Sequence, residues 1–323
     1  MSKLKSLDYA GQKPDPKTIQ TLVFSGGGAL GIGYSGAVEE LFKHVDRNQI
    51  KTYAGSSAGA ITAMILALGY DVDEIKSIIE NTKFGEFLDL GLVNLNELIK
   101  DPQKYLKENP WAALVIGVAI FGTFALCPGE VARKFLAKLI TDQGLREDIT
   151  FKQLFNHPNG VSLRVTVCNI GHTQEQYIEH NSYPNVKVLD AVYASMAIPF
   201  IFKPMYFQNE RNNCAVDGGT VDNLPVYKMD NWLAFVLGAK DKILHPPFKP
   251  VETLIDYING LLLTLQKTVF NQIFIEQANI DRTIFIDTKD YGGLDFDMDE
   301  KEKKELIKAG TDAVKDYFAD LKL

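Results

Sequence analysis

Three short stretches of the chain carry residue types that could do chemistry together. Gly55-Ser56-Ser57-Ala58-Gly59 has the Gly-x-Ser-x-Gly spacing of a nucleophile elbow. Such an elbow turns a strand sharply into a helix and presents one serine, here Ser57, in a strained conformation. Only small neighbours such as Gly55 and Gly59 tolerate that turn. Gly26-Gly27-Gly28-Ala29-Leu30-Gly31 ends an apolar run and opens a helical pattern. Backbone N–H groups at that position could hold a developing negative charge, as an oxyanion hole does. Asp217-Gly218-Gly219 could offer a carboxylate base on a tight turn made by Gly218 and Gly219. An ordinary aspartate has a pKa of about 4 and is a weak base, so that role requires a desolvated site.

Each stretch also has a rival meaning. The first glycine run satisfies Gly-x-Gly-x-x-Gly, which would make the chain a dinucleotide-binding oxidoreductase. That reading needs an acidic residue at the end of the second strand to hold a ribose. The Ser57 elbow occupies that place, and Asp46 falls before the strand. Both small-residue turns could be structural only. The five histidines are alternative bases for a serine. His245, in Leu244-His245-Pro246-Pro247, lies late enough in the chain for an α/β-hydrolase, but no pattern around it supports the role. His44 is expected on a helix surface, His157 and His245 in surface loops, and His180 at a strand end.

These residues need a scaffold that brings residue 57 to residue 217. The sequence predicts strands at 18–24 and 52–54, with helices at 32–45 and 60–68 behind the two glycine turns. Strand, glycine loop, helix, strand, tight turn and helix make the βαβα pattern of a parallel sheet covered by helices. Further strands are expected at 162–169, 176–179, 232–237 and 283–286, and helices at 191–197, 254–280 and 300–318. Residues 84–148 read as a helical insertion or lid. The expected organisation is a tail over 1–17 followed by one α/β domain over 18–323.

The chain has 323 residues, 46% of them hydrophobic and 23% charged, with a net charge of −7. That composition suits a globular fold and argues against a general nucleic-acid binder, which would be basic. Cys127, Cys168 and Cys214 are odd in number and widely spaced, which fits neither a disulfide framework nor a metal site. The first 17 residues hold Lys3, Lys5, Lys13 and Lys17 but no apolar core, so no secretory signal peptide is expected.

Taken in order, the glycine loop, the serine elbow and Asp-Gly-Gly resemble the patatin-like phospholipase family. Ala194-Ser195-Met196-Ala197-Ile198-Pro199 is similar to that family's Ala-Ser-x-Ala-x-Pro segment. The run from Asp217 to Pro225 is similar to its Asp-Gly-Gly-x-x-x-Asn-x-Pro segment. The resemblance spans roughly 18–318, more weakly over 84–141. It implies a three-layer α/β/α sandwich around a mainly parallel sheet. It also implies that Ser57 is the nucleophile and Asp217 the base, with Gly26, Gly27 and Gly28 forming the oxyanion hole and no metal or cofactor. Many members carry Arg or Lys where this chain has Leu30, so phospholipid is less firmly implied than lipid ester hydrolysis itself. The expected activity is phospholipase A or lysophospholipase, with a neutral-lipid lipase or esterase as alternative and a catalytically dead membrane-binding module behind it.

Trp111 to Cys127 contains no charge and is bracketed by Pro110 and Pro128. Interrupted by Gly117 and Gly122, it is too short for a comfortable membrane span. It reads as a buried core helix or, preferably, as a lid or membrane-dipping hairpin whose neighbours Arg133, Lys134 and Lys138 could meet anionic headgroups. The expected partners are therefore acyl lipid and a membrane surface, with an activator protein left open. The expected setting is a cytoplasmic, peripherally membrane-associated protein or an effector exported without a signal peptide.

Overall fold

The computed structural model describes residues 13–91, 93–158, 160–245, 250–251 and 254–319. Among the described residues ten strands form: β1 (Thr21–Phe24), β2 (Thr52–Ser56), β3 (Ala125–Cys127), β4 (Ser162–Asn169), β5 (Gln174–Ile178), β6 (Phe200–Phe202), β7 (Met205–Tyr206), β8 (Cys214–Asp217), β9 (Trp232–Leu237) and β10 (Thr283–Ile286). The main sheet pairs in the order β10-β9-β1-β2-β4-β8-β7, with β5 also on β4. From β10 to β4 every pairing is parallel, while β5, β7 and β8 pair antiparallel. The fold is α/β, with helices on both faces of a mainly parallel sheet.

Alternation along the central strands explains the three layers. Leu22 and Phe24 of β1, Tyr53 of β2, and Leu233 and Phe235 of β9 point into one large core. Helices α1 (Gly33–Leu41) and α2 (Ala58–Ala67) cover that face, together with the helices Val188–Met196 and Glu300–Ala319. Val23, Ala54, Ala234 and Val236 alternate to the other face, against Phe270 and Phe274 at the end of the Leu254–Ile273 helix. A third helix, α3 (Val72–Asn81), begins with a capping box in which Asp71 and Glu74 satisfy each other's backbone N–H groups.

One register places the site. Val165 of β4 pairs with both Gly55 and Ile178, and Val167 pairs with both Gln176 and Asp217. Strands β2 and β8 therefore share one edge of β4 and β5 takes the other. Running in opposite directions, β2 and β8 end against consecutive residues: Ser56 faces Thr166, and Asp217 faces Val167.

Several boundaries differ from the sequence expectation. β1 starts at Thr21, because Pro16–Thr18 forms a 3-10 turn capped by the Asp15 side chain. Of the expected 1–17 tail, residues 1–12 lie outside the described residues. Residues 13–17 belong to the domain: Pro14 and Pro16 are buried, and Lys13 Nζ donates to Tyr317 O at 2.6 Å. The helix expected over 254–280 is two helices, Leu254–Ile273 and Gln277–Asp281. The span 84–148 is helical, but it also contributes β3, which pairs parallel with β6 in a small second sheet. Trp111 to Cys127 is not a core helix. It divides into the helix Ala112–Thr123 and β3, and the side chains of Leu114, Val118 and Phe121 stand in solvent. No helix among the described residues is long and apolar enough to cross a membrane.

Candidate active site

Ser57 sits between the end of β2 and the start of α2 with φ 53° and ψ −123°. A non-glycine residue in that region carries strain of about 1–3 kcal/mol, which the surroundings must hold in place. They do so by leaving no room. A Cβ on Gly55 would lie 2.2 Å from Gly59 O, and one on Gly59 would lie 2.1 Å from Phe24 O. The Ser57 N–H donates to Ser195 Oγ at 2.9 Å, tying the elbow to the Val188–Met196 helix.

Asp217 ends β8 and is buried, as Ser57 is. Ser57 Oγ donates to Asp217 Oδ2 at 2.6 Å, and Gly219 N donates to Oδ1 at 2.7 Å, so both carboxylate oxygens are engaged. A Cβ on Gly218 would meet Thr166 O at 2.2 Å, so the turn is pressed directly onto β4. Burial raises the Asp217 carboxyl to about 7, against the opposing pull of the Ser57 and Gly219 hydrogen bonds. The desolvation that a carboxylate base requires is thus supplied by the fold.

The glycine loop wraps the other side of Ser57. A Cβ on Gly26 would approach Asn223 Oδ1 to 2.4 Å and Ser57 Cβ to 3.0 Å. Gly28 has φ +57°, and its Cβ would lie 2.0 Å from Gly293 O. Of the three glycines expected to form an oxyanion hole, Gly26 has its N–H already committed to Asn223, with Oδ1 at 3.1 Å and O at 3.2 Å. The N–H groups of Gly27 and Gly28 have no acceptor among the described residues. They open the Gly28–Ile32 turn that leads into α1, where the helix dipole adds to their pull on an anion.

An apolar pocket opens beside Ser57. Its lining includes Ala58, Ile61 and Ile65 of α2, Ile75 and Ile79 of α3, and Met196, Ile198 and Phe202. Its lining includes no charged side chain.

The structure brings together Ser57, Asp217 and the glycine loop, which are far apart in the chain. It leaves the histidines elsewhere. His44 stacks on Phe318, His180 stacks on Phe155, His172 meets Asn213, and His245 closes the short helix Lys240–Leu244. Asp46 caps the turn before β2, at the opposite end of the parallel sheet from the glycine loop, so it cannot serve a nucleotide there. Among the described residues no cluster of His, Cys, Asp and Glu could hold a metal. Ser195 and Asn223 lie within the motif segments, and nothing in those segments assigns either a role. Each bonds a backbone N–H of another segment, a partnership with no local signature.

The strand-to-helix elbow that holds Ser57, facing a glycine loop on a mainly parallel sheet, has the backbone geometry of a nucleophile elbow. The chain belongs to the patatin-like phospholipase family, whose pattern matches residues 22–230. It is similar to an uncharacterized protein, R571, of Acanthamoeba polyphaga mimivirus: the two are 26% identical, over 96% of this chain and 97% of that one. It is 28% identical to a probable lipid hydrolase, 463L, of Invertebrate iridescent virus 6, over 65% of this chain and 63% of the relative. Among solved structures it shares its fold with VipD from Legionella pneumophila, at a TM-score of 0.59 and 19% identity, covering 95% of this chain and 67% of that one.

Proposed function

We propose that this family member hydrolyses fatty-acyl esters of lipids with Ser57 as nucleophile and Asp217 as base. The observation that carries the reading is the 2.6 Å hydrogen bond from Ser57 Oγ to a buried carboxylate beside an apolar pocket. In the ionised enzyme, Asp217 takes the Ser57 proton as Oγ attacks the acyl carbonyl. The N–H groups of Gly27 and Gly28 hold the tetrahedral oxyanion. As that intermediate collapses, Asp217 returns the proton to the leaving alcohol oxygen. Water then gives its proton to Asp217 and attacks the acyl-serine, and the fatty acid leaves with Ser57 restored.

The apolar lining suits a hydrocarbon chain, which supports lipid over a small polar ester. We assign the activity to phospholipase A or lysophospholipase chemistry, with the headgroup outside the pocket because no charged group lines it. The same absence favours triacylglycerol as the second reading. Nothing in it requires a metal or cofactor.

The test is fatty-acid release from phosphatidylcholine, lysophosphatidylcholine and triolein, with and without a cytosolic extract to supply any activator protein. Ser57→Ala and Asp217→Asn should each lower turnover about a thousandfold or more. A fluorophosphonate probe should label Ser57 in the parent chain. Activity surviving in Asp217→Asn would remove the carboxylate from the mechanism, and the absence of both release and labelling would sink the hydrolase reading.

A further inference from the structure

We infer that the helix Ala112–Thr123 is a bilayer-insertion element that seats the mouth of the Ser57 pocket on zwitterionic membranes through apolar contact. The inference rests on the lipid hydrolase reading for its purpose but not for its test. Trp111, Leu114, Val118, Phe121 and Phe124 recur at spacings of one helical face and are 47%, 73%, 67%, 89% and 61% exposed. A contiguous apolar face of this kind on a folded chain marks a surface made to be covered. Its opposite side is docked, because Val115 and Ile116 pack on the main core. The helix is thus held outward by the fold.

The face leads to the pocket. After Phe124 the chain enters β3, which pairs with β6 so that Ala125 faces Phe200 and Cys127 faces Phe202. Phe202 lines the pocket, and Phe200 is itself 48% exposed, so the apolar stripe continues onto the strand that walls the site.

The chemistry of the face selects hydrocarbon over a protein partner. Residues 111–127 carry no charge. The Thr123 hydroxyl is spent on Ala119 O and Ala125 O. A protein interface of useful size would want about one hydrogen bond per 100–200 Å². Twelve helical residues span about 18 Å, enough to lie in the headgroup–acyl boundary and too short to cross it. Of the cations that follow, Arg133 pairs with Asp190 and Lys138 with Asp142, while Lys134 is exposed, and the salt arm of the experiment separates its attraction from apolar contact.

The experiment is co-sedimentation of the full chain, carrying Ser57→Ala to spare the lipid, with large vesicles of dioleoyl phosphatidylcholine. Adding Phe121→Asp should weaken binding roughly tenfold or more, the scale expected for removing one buried aromatic from a bilayer. Binding should persist in about 1 M salt, where the Debye length is about 3 Å. With Ser57 present, Phe121→Asp should leave hydrolysis of water-soluble p-nitrophenyl butyrate unchanged, which shows that the variant folds. Vesicle binding that ignores Phe121→Asp, that is absent in the parent, or that salt removes would overturn the inference. So would a solution dimer that Phe121→Asp splits, since the face would then belong to a second copy. If the parent releases no fatty acid and takes no fluorophosphonate label while Phe121→Asp still releases the vesicles, the hydrolase reading fails and the membrane surface stands.

Discussion

At the scale of single residues, Asp217 ties stability to activity through one ionisation. In its proposed role as base it must be deprotonated, so kcat/KM should rise with pH and level off above about 7, falling about tenfold per pH unit below. A pH–rate profile on a soluble ester checks this, and a midpoint near 4 would show a base that is not desolvated. Its effect on folding has the opposite sign. The folded carboxyl holds its proton up to about 7 while the unfolded one releases it near 3.8, so folded protein binds more protons between those values. The contribution is fully present below about 4 and is lost as pH rises through 7. Asp217→Asn, which can still accept from Gly219 N and meet Ser57 Oγ, should therefore be more stable than the parent at pH 8, by a few kcal/mol at most. Thermal melts of both proteins at pH 5 and pH 8 measure the difference, and a gap that does not widen with pH would refute it. Ser57, Asp217 and the glycines could be read in advance because elbows and tight turns restrict residue type. Ser195 and Asn223 could not, because a hydroxyl or amide that bonds a distant backbone leaves no spacing rule behind.

At the scale of elements, α1 and the Glu300–Ala319 helix meet with backbone almost on backbone. A Cβ on Gly36 would lie 2.0 Å from Ile307 O, and one on Gly310 would lie 2.0 Å from Gly33 O. Gly36→Val should force the two helices apart and destabilise the protein by about 2–4 kcal/mol, read as a lower urea midpoint. An unchanged midpoint would mean that the helices can slide. The central strands were legible because their apolar runs are long or alternate; β9 and β10 have the expected bounds. Strands β3 and β6 were not, since three residues each give no period, and only pairing with one another makes them strands. The break between the Leu254–Ile273 and Gln277–Asp281 helices was also hidden, because Phe274-Ile275-Glu276 contains no glycine or proline to announce it.

At the scale of the whole molecule, the meeting of β2 and β8 on one edge of β4 has a consequence for how such a chain can diversify. The two side chains of the proposed dyad stand at the abutting ends of two strands, although 160 positions separate them in sequence. Within that interval β4 sets their distance and Ser195 ties the elbow, whereas the helix Ala112–Thr123 belongs to neither strand pairing. That outward helix can therefore be exchanged as a cassette while Ser57 and Asp217 keep their places. Replacing 112–123 with a short Gly/Ser linker should yield a folded protein that still cleaves a soluble ester at about the parent rate but has lost its grip on vesicles. A linker variant that folds yet cannot cleave the soluble ester would show that the cassette also shapes the reaction. In a fold organised this way, appetite for a given surface and capacity for ester chemistry are separately heritable traits.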